Sequence, residues 1–95
     1  MRGFMTMDKP RVFADFHNAN TQGRLRLNCT GTIEDLARQK IWLRDAQELT
    51  LYSEDLEVDG IVRYSTEENV WVAVINWDEI REQENYLIQE SKLNR

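Results

Sequence analysis

The stretch from Leu49 to Ile75, LTLYSEDLEVDGIVRYSTEENVWVAVI, constrains the fold more than any other part of the chain. Three runs rich in Val, Ile, Leu, Tyr and Trp are separated by two short acidic turns. Such residues fit a pleated, half-buried surface, and alternation of period two sets them on one face. Turns at Ser53-Glu54-Asp55-Leu56 and Thr66-Glu67-Glu68-Asn69 fix the register. Tyr52 then faces Glu57, Leu51 faces Val58, Leu49 faces Gly60, Tyr64 faces Trp71 and Val62 faces Ala73. One face collects Leu49, Leu51, Leu56, Val58, Val62, Tyr64, Trp71, Ala73 and Ile75. Asn69 suits a left-handed turn position. Gly60, in mid-strand, predicts a bend or bulge that would let a short sheet curl into a barrel.

Val70, Val72 and Val74 make the other face of the last strand apolar too. A strand buried on both faces needs a second layer. Asn76-Trp77-Asp78-Glu79 reads as a capping box, which predicts a helix over 77–90 with Ile80, Leu87 and Ile88 on a narrow stripe. Its first turns would cover the valines. Leu87 and Ile88 would reach past a sheet this short and pack on a second copy or on another protein. Val70, Val72, Val74, Ile80, Leu87 and Ile88 are therefore the expected partner-binding residues.

Upstream, residues 1–10 carry three methionines with little periodicity and read as an arm closed by Pro10, ahead of a single domain over 11–95. Arg11 to Asn18 and Arg24 to Thr30 read as a hairpin. Its register sets Asp15 beside Arg26, with Val12, Ala14, Phe16, Leu25, Leu27 and Cys29 inward. Thr32 as cap and acidic Glu34 and Asp35 in the first turn predict a short helix over 32–40, with Ile33, Leu36 and Ala37 on one face. Ile41-Trp42-Leu43 then reads as a short strand. The expected fold is mainly β, a small curled antiparallel sheet or barrel with two helices.

The strand ending Leu51-Tyr52-Ser53-Glu54, the Gly60-Ile61-Val62 strand and the Trp71-Val72-Ala73 strand resemble the SH3-like small barrels. That likeness implies a barrel scaffold. Peptide-binding members carry an alanine-leucine-tyrosine-aspartate-tyrosine motif, a long acidic loop and paired tryptophans. Leu51-Tyr52-Ser53, a short turn and the single Trp71 depart from these, so no binding residue carries over. The chain as a whole also resembles short uncharacterised bacterial proteins, which implies nothing about mechanism.

The chemistry that the residues exclude is informative. Seventeen Asp and Glu against twelve Lys and Arg leave a net charge of −5, which repels a phosphate polyanion. Cys29 is the one cysteine, so no internal disulfide forms; without a signal peptide or a long apolar run, a cytoplasmic protein with no membrane span is expected. Asp55-Leu56-Glu57-Val58-Asp59-Gly60 copies the opening of a calcium loop, but Thr66 stands where a bidentate glutamate is required, and a wet strand face explains the same letters. His17 is the sole histidine; a general base needs a nucleophile and an orienting carboxylate within reach, and Asp15, on the same strand face, is expected to be committed to Arg26. One histidine and one cysteine lack the spaced pairs of a zinc site. The reading is a non-enzymatic protein-interaction module without cofactor or metal, binding a protein partner or itself as a homodimer. The alternative is a barrel that binds single-stranded nucleic acid or a nucleotide, using Arg24, Arg26 and Phe13.

Overall fold

Alternation of period two builds the centre of the molecule. The computed structural model describes residues 9–82. Strands β3 (Glu48–Ser53), β4 (Leu56–Ser65) and β5 (Val70–Ile75) form the expected antiparallel meander. Leu51 faces Val58, Leu49 faces Gly60, Tyr64 faces Trp71 and Val62 faces Ala73, as the turns predict. Asn69 takes the left-handed conformation (φ 55°), and so does Glu54 (φ 48°) in the first turn. Leu49, Leu51, Val58, Val62 and Ala73 are buried on one face. Gly60 differs from expectation. Both ladders run through it with no extra residue, so there is no bulge. A Cβ there would lie 3.0 Å from Ile75 Cγ2 and from Leu51 Cδ1; the glycine lets flanking strands pack closely.

The expected N-terminal hairpin is replaced by two separate attachments to this meander. Strand β1 (Arg11–Phe13) pairs parallel with β3, Val12 opposite Leu51, and strand β2 (Leu25–Arg26) pairs antiparallel with β5, Leu25 opposite Ala73. The sheet order is β1-β3-β4-β5-β2, so the two strands lie at opposite edges. Asp15 therefore never meets Arg26. Its carboxylate accepts from the His17 amide (2.9 Å), while Arg26 binds Glu68 on the β4–β5 turn. A tight turn does precede β2, but with Ala19 opposite Leu25. The inward set holds better than the pairing: Val12, Ala14, Leu25 and Leu27 are buried, and Phe16 packs against them. Cys29 is the exception, half-buried just ahead of the helix, with Sγ 3.1 Å from Thr32 Oγ1.

The helix is present as α1 (Thr30–Gln39), with Cys29 at the cap position. Its polarity is inverted. Thr32, Asp35 and Leu36 are buried, whereas Ile33 and Ala37, expected inside with Leu36, face solvent. Strand β1 supplies the reason. Pro10 O and Ala14 N bond to β3, which leaves the Arg11 and Phe13 backbone groups on the open edge. Asp35 Oδ2 accepts the Phe13 N–H (2.9 Å), Thr32 Oγ1 donates to Phe13 O (2.7 Å), and Gln39 Nε2 donates to Arg11 O (2.5 Å). Residues 32, 35 and 39 share a helix face, so one polar stripe seals the sheet edge. Asp35 also accepts from Tyr52 Oη (3.1 Å) and is ion-paired to Arg38.

At the other end, Asn76 caps as expected, its side chain accepting the Asp78 N–H. The expected helix over 77–90 does not follow. Trp77–Glu79 is a single 3₁₀ turn, and Arg81–Glu82 forms strand β6, which returns to β4 with Arg81 opposite Glu57. The segment Leu56–Glu57 lies beyond the end of β5 and leaves a free ladder position that β6 fills. Residues 83–90 of the expected helix lie outside the described residues. Nor is the sheet a closed barrel, since β1 and β2 do not pair, and it is mixed because β1–β3 is parallel. The polar outer layer over Val72 is the sheet itself: Arg26 and Arg63 are its cross-strand neighbours, and arginine stems cover apolar surface while their heads stay wet.

Candidate functional site

Helix α1 ends in a motif that throws its chain outward. Lys40 is left-handed (φ 59°, ψ 43°), Ile41 N–H bonds to Leu36 O (2.9 Å), and Lys40 N–H bonds to Ala37 O (3.1 Å). This is a Schellman arrangement, in which the residue after the left-handed position packs back on the last turn. Ile41 does so, joining the edge of the core with Leu43. Trp42 lies between them and is 84% exposed. Ile33, 54% exposed, stands two turns upstream on the same helical face as Ala37 and Lys40. A cavity of about 460 Å³ opens here, lined by Leu36, Ala37, Lys40, Ile41 and Trp42. Apolar walls with one cation at the rim make a ledge suited to an apolar anchor.

The sequence reading missed this ledge because it placed Trp42 in a strand and Ile33 in the core. A signal was present: Thr32, Asp35 and Gln39 form a polar stripe at helical spacing, which leaves the apolar residues for the opposite face.

The expected partner residues fall elsewhere. Val70, Val72 and Val74 share the outer face of β5; Val72 is buried, and Val70 and Val74 are half-buried opposite Ser65 and Ile61. Ile80 packs against the core of its own chain. Leu87 and Ile88 lie outside the described residues. The basic and aromatic set of the alternative reading is dispersed, with Phe13 on β1 and Arg26 on β2, at opposite edges. Phe13 is engaged edge-on with Tyr52 and lies under Gly31, where a Cβ would approach its ring to 2.7 Å. Arg26 is held by Glu68 (3.0 and 3.2 Å), Asn18 and Ala19 O. The bond to Glu68 raises the Arg26 pKa, and the same bond holds the Glu68 carboxyl below its ordinary value.

The calcium-like letters fall at the start of β4, where each outward carboxylate has cationic partners. Glu57 meets Arg81 (3.0 Å) and Arg11 (3.6 Å); Asp59 meets Lys9 (3.1 Å) and Arg81 (3.3 Å) and accepts from Thr50 Oγ1 (3.0 Å). Burial pushes the Asp59 carboxyl up, and the bonds from Lys9, Thr50 and Arg81 together outweigh it, leaving it below the usual range. Among the described residues no cluster of His, Cys, Asp or Glu is placed to hold a metal ion. His17 is 99% exposed beside Asp15, with Nδ1 3.5 Å from the carboxylate.

No helix among the described residues is long and apolar enough to cross a membrane. No family model, curated protein or solved structure matches the chain.

Proposed function

We propose that this chain is a non-enzymatic interaction module that docks another protein chain on the ledge formed by Ile33, Ala37, Ile41 and Trp42. The observation that carries the reading is Trp42, a large indole left 84% exposed beside an apolar cavity. Covering an indole of roughly 150–250 Å² contributes about 4–6 kcal/mol before the costs of association, which is why tryptophan dominates interface hot spots. The remainder of the surface supports this choice, since the carboxylates of β4 and the Arg26 guanidinium are engaged within the chain.

The test compares proteins retained from cell extract by the immobilised parent, by Trp42→Ala and by the turn variant Glu67→Gln. A specific partner should be retained by the parent and Glu67→Gln and lost with Trp42→Ala, with only a modest weakening at high salt as rim charges are screened. A ligand that survives Trp42→Ala and dissociates steeply with ionic strength would instead mark phosphate contacts and overturn the reading.

A further inference from the structure

The ledge has a charge that the chain as a whole does not. The segment Arg38-Gln39-Lys40-Ile41-Trp42-Leu43-Arg44 carries three cations and no carboxylate, in a protein of net charge −5. Arg38 is committed to Asp35, whereas Lys40 and Arg44 have no ion-pair partner among the described residues. A complementary ligand is therefore an apolar anchor flanked by carboxylates. The segment Glu82-Gln83-Glu84-Asn85-Tyr86-Leu87-Ile88-Gln89-Glu90 has that chemistry, with three glutamates, no cation and a contiguous Tyr-Leu-Ile centre.

We infer that the ledge of one copy binds the Tyr86-Leu87-Ile88 centre of a second copy, and that two chains associate by exchanging these segments reciprocally. The inference rests on the docking reading above and names its partner.

Topology favours the second copy over the chain's own segment. Glu82 leaves from β6 beside Leu56, while the ledge lies past β4, β3 and β1, at the end of α1 that holds Arg11. Three strand steps and one helix layer span about 24 Å, whereas the six residues 83–88 reach about 20 Å when fully extended. Two identical contacts related by a two-fold axis close the assembly at a dimer. A single-stranded nucleic acid fits the ledge less well. Its walls are aliphatic, with one aromatic platform, and the net charge opposes a polyanion.

Sedimentation of the full chain over a range of concentrations tests this, with Trp42→Ala and Leu87→Asp as variants. The parent should form a concentration-dependent dimer. Each variant should weaken it by about a thousandfold, because the two-fold axis repeats the loss of one hot-spot side chain, about thirtyfold, at both contacts. Far-UV circular dichroism of Trp42→Ala should match the parent, because the indole is exposed. An equimolar mixture of the variants should regain a dimer, since one supplies an intact segment and the other an intact ledge.

A parent that remains monomeric at its highest soluble concentration overturns the inference, as does a Trp42→Ala protein that dimerises like the parent. A mixture no tighter than its components overturns it too, by showing that like surfaces meet. Binding of an oligothymidylate probe that is lost with Trp42→Ala would assign the ledge to nucleic acid. A monomeric parent that still retains a different protein through Trp42 removes only the second copy and leaves the docking function standing.

Discussion

The β3–β5 meander and helix α1 divide polar and apolar residues in opposite ways. In the meander, Leu49, Leu51, Val58 and Val62 face inward while Glu57, Asp59 and Arg63 face water. In α1, Thr32 and Asp35 are buried and Ile33 faces water. The difference follows from what each element packs against. Interior strands have their backbone groups paired by neighbours, so side chains need only be apolar. Helix α1 lies on an unpaired strand edge, where buried N–H and C=O groups require polar partners. A helix that spends its inner face on hydrogen bonds has apolar residues left over outside, and these form the ledge.

Three measurements probe that contrast. The largest effect is expected for Asp35→Ala. It strips partners from the Phe13 N–H and the Tyr52 hydroxyl at a buried position, and each orphaned group costs about 1–3 kcal/mol, so a loss of about 3 kcal/mol is expected. The urea midpoint should fall with an unchanged m-value. A change below about 1 kcal/mol would mean that the polar stripe is not what holds the edge.

Gly60→Ala probes the meander by steric means. The new methyl would lie 3.0 Å from Ile75 Cγ2 and Leu51 Cδ1 and 3.3 Å from Val74 O. Overpacking of that kind, partly offset by the lower chain entropy of alanine, should destabilise by about 1 kcal/mol. A more stable variant would show that the flanking strands have room to move apart.

The smallest effect concerns acid. The Asp59 carboxyl titrates below its ordinary value in the folded protein, so its contribution is present above the unfolded pKa and is lost as pH falls through the folded one. Asp59→Asn should therefore be slightly less stable at neutral pH, by under about 1 kcal/mol because the pair is half-exposed, and should lose less stability on acidification. Parallel melting curves from pH 7 to pH 3 check this in about the range where aspartates protonate. Equal slopes for parent and variant would show that the pairs with Lys9 and Arg81 contribute nothing.

Legibility followed the same division. The registers of β3–β4 and β4–β5 could be read because each pair is adjacent in sequence, is joined by a short turn and alternates cleanly. The pairing of β1 and β2 could not, because two alternating runs in sequence resemble a hairpin whether they pair with each other or with distant strands. The presence of α1 was readable, but not its start, since Cys29 and not Thr32 holds the cap position and no acidic residue lies in the first turn. Nor was its buried face, which depends on the Phe13 and Arg11 backbone. After Asn76 the cap signal was correct. The open ladder beside Leu56 and Glu57, with Ile80 packed on the core, drew the chain into a strand. The ledge itself was hidden for the same reason as the helix face.

The separate anchoring of β1 and β2 has a consequence for the order in which the chain is made. Both are translated before the strands to which they attach, and neither pairs with the other. Until Val70–Ile75 has emerged from the ribosome, β2 has only its bridge to Ala19; until Glu48–Ser53 has emerged, β1 has only the side chains of α1. Distant pairings close longer loops than a hairpin does, so the meander can form from local contacts alone, while the sheet attachments of β1 and β2 require it. The strands made last carry the ladder positions that the strands made first require.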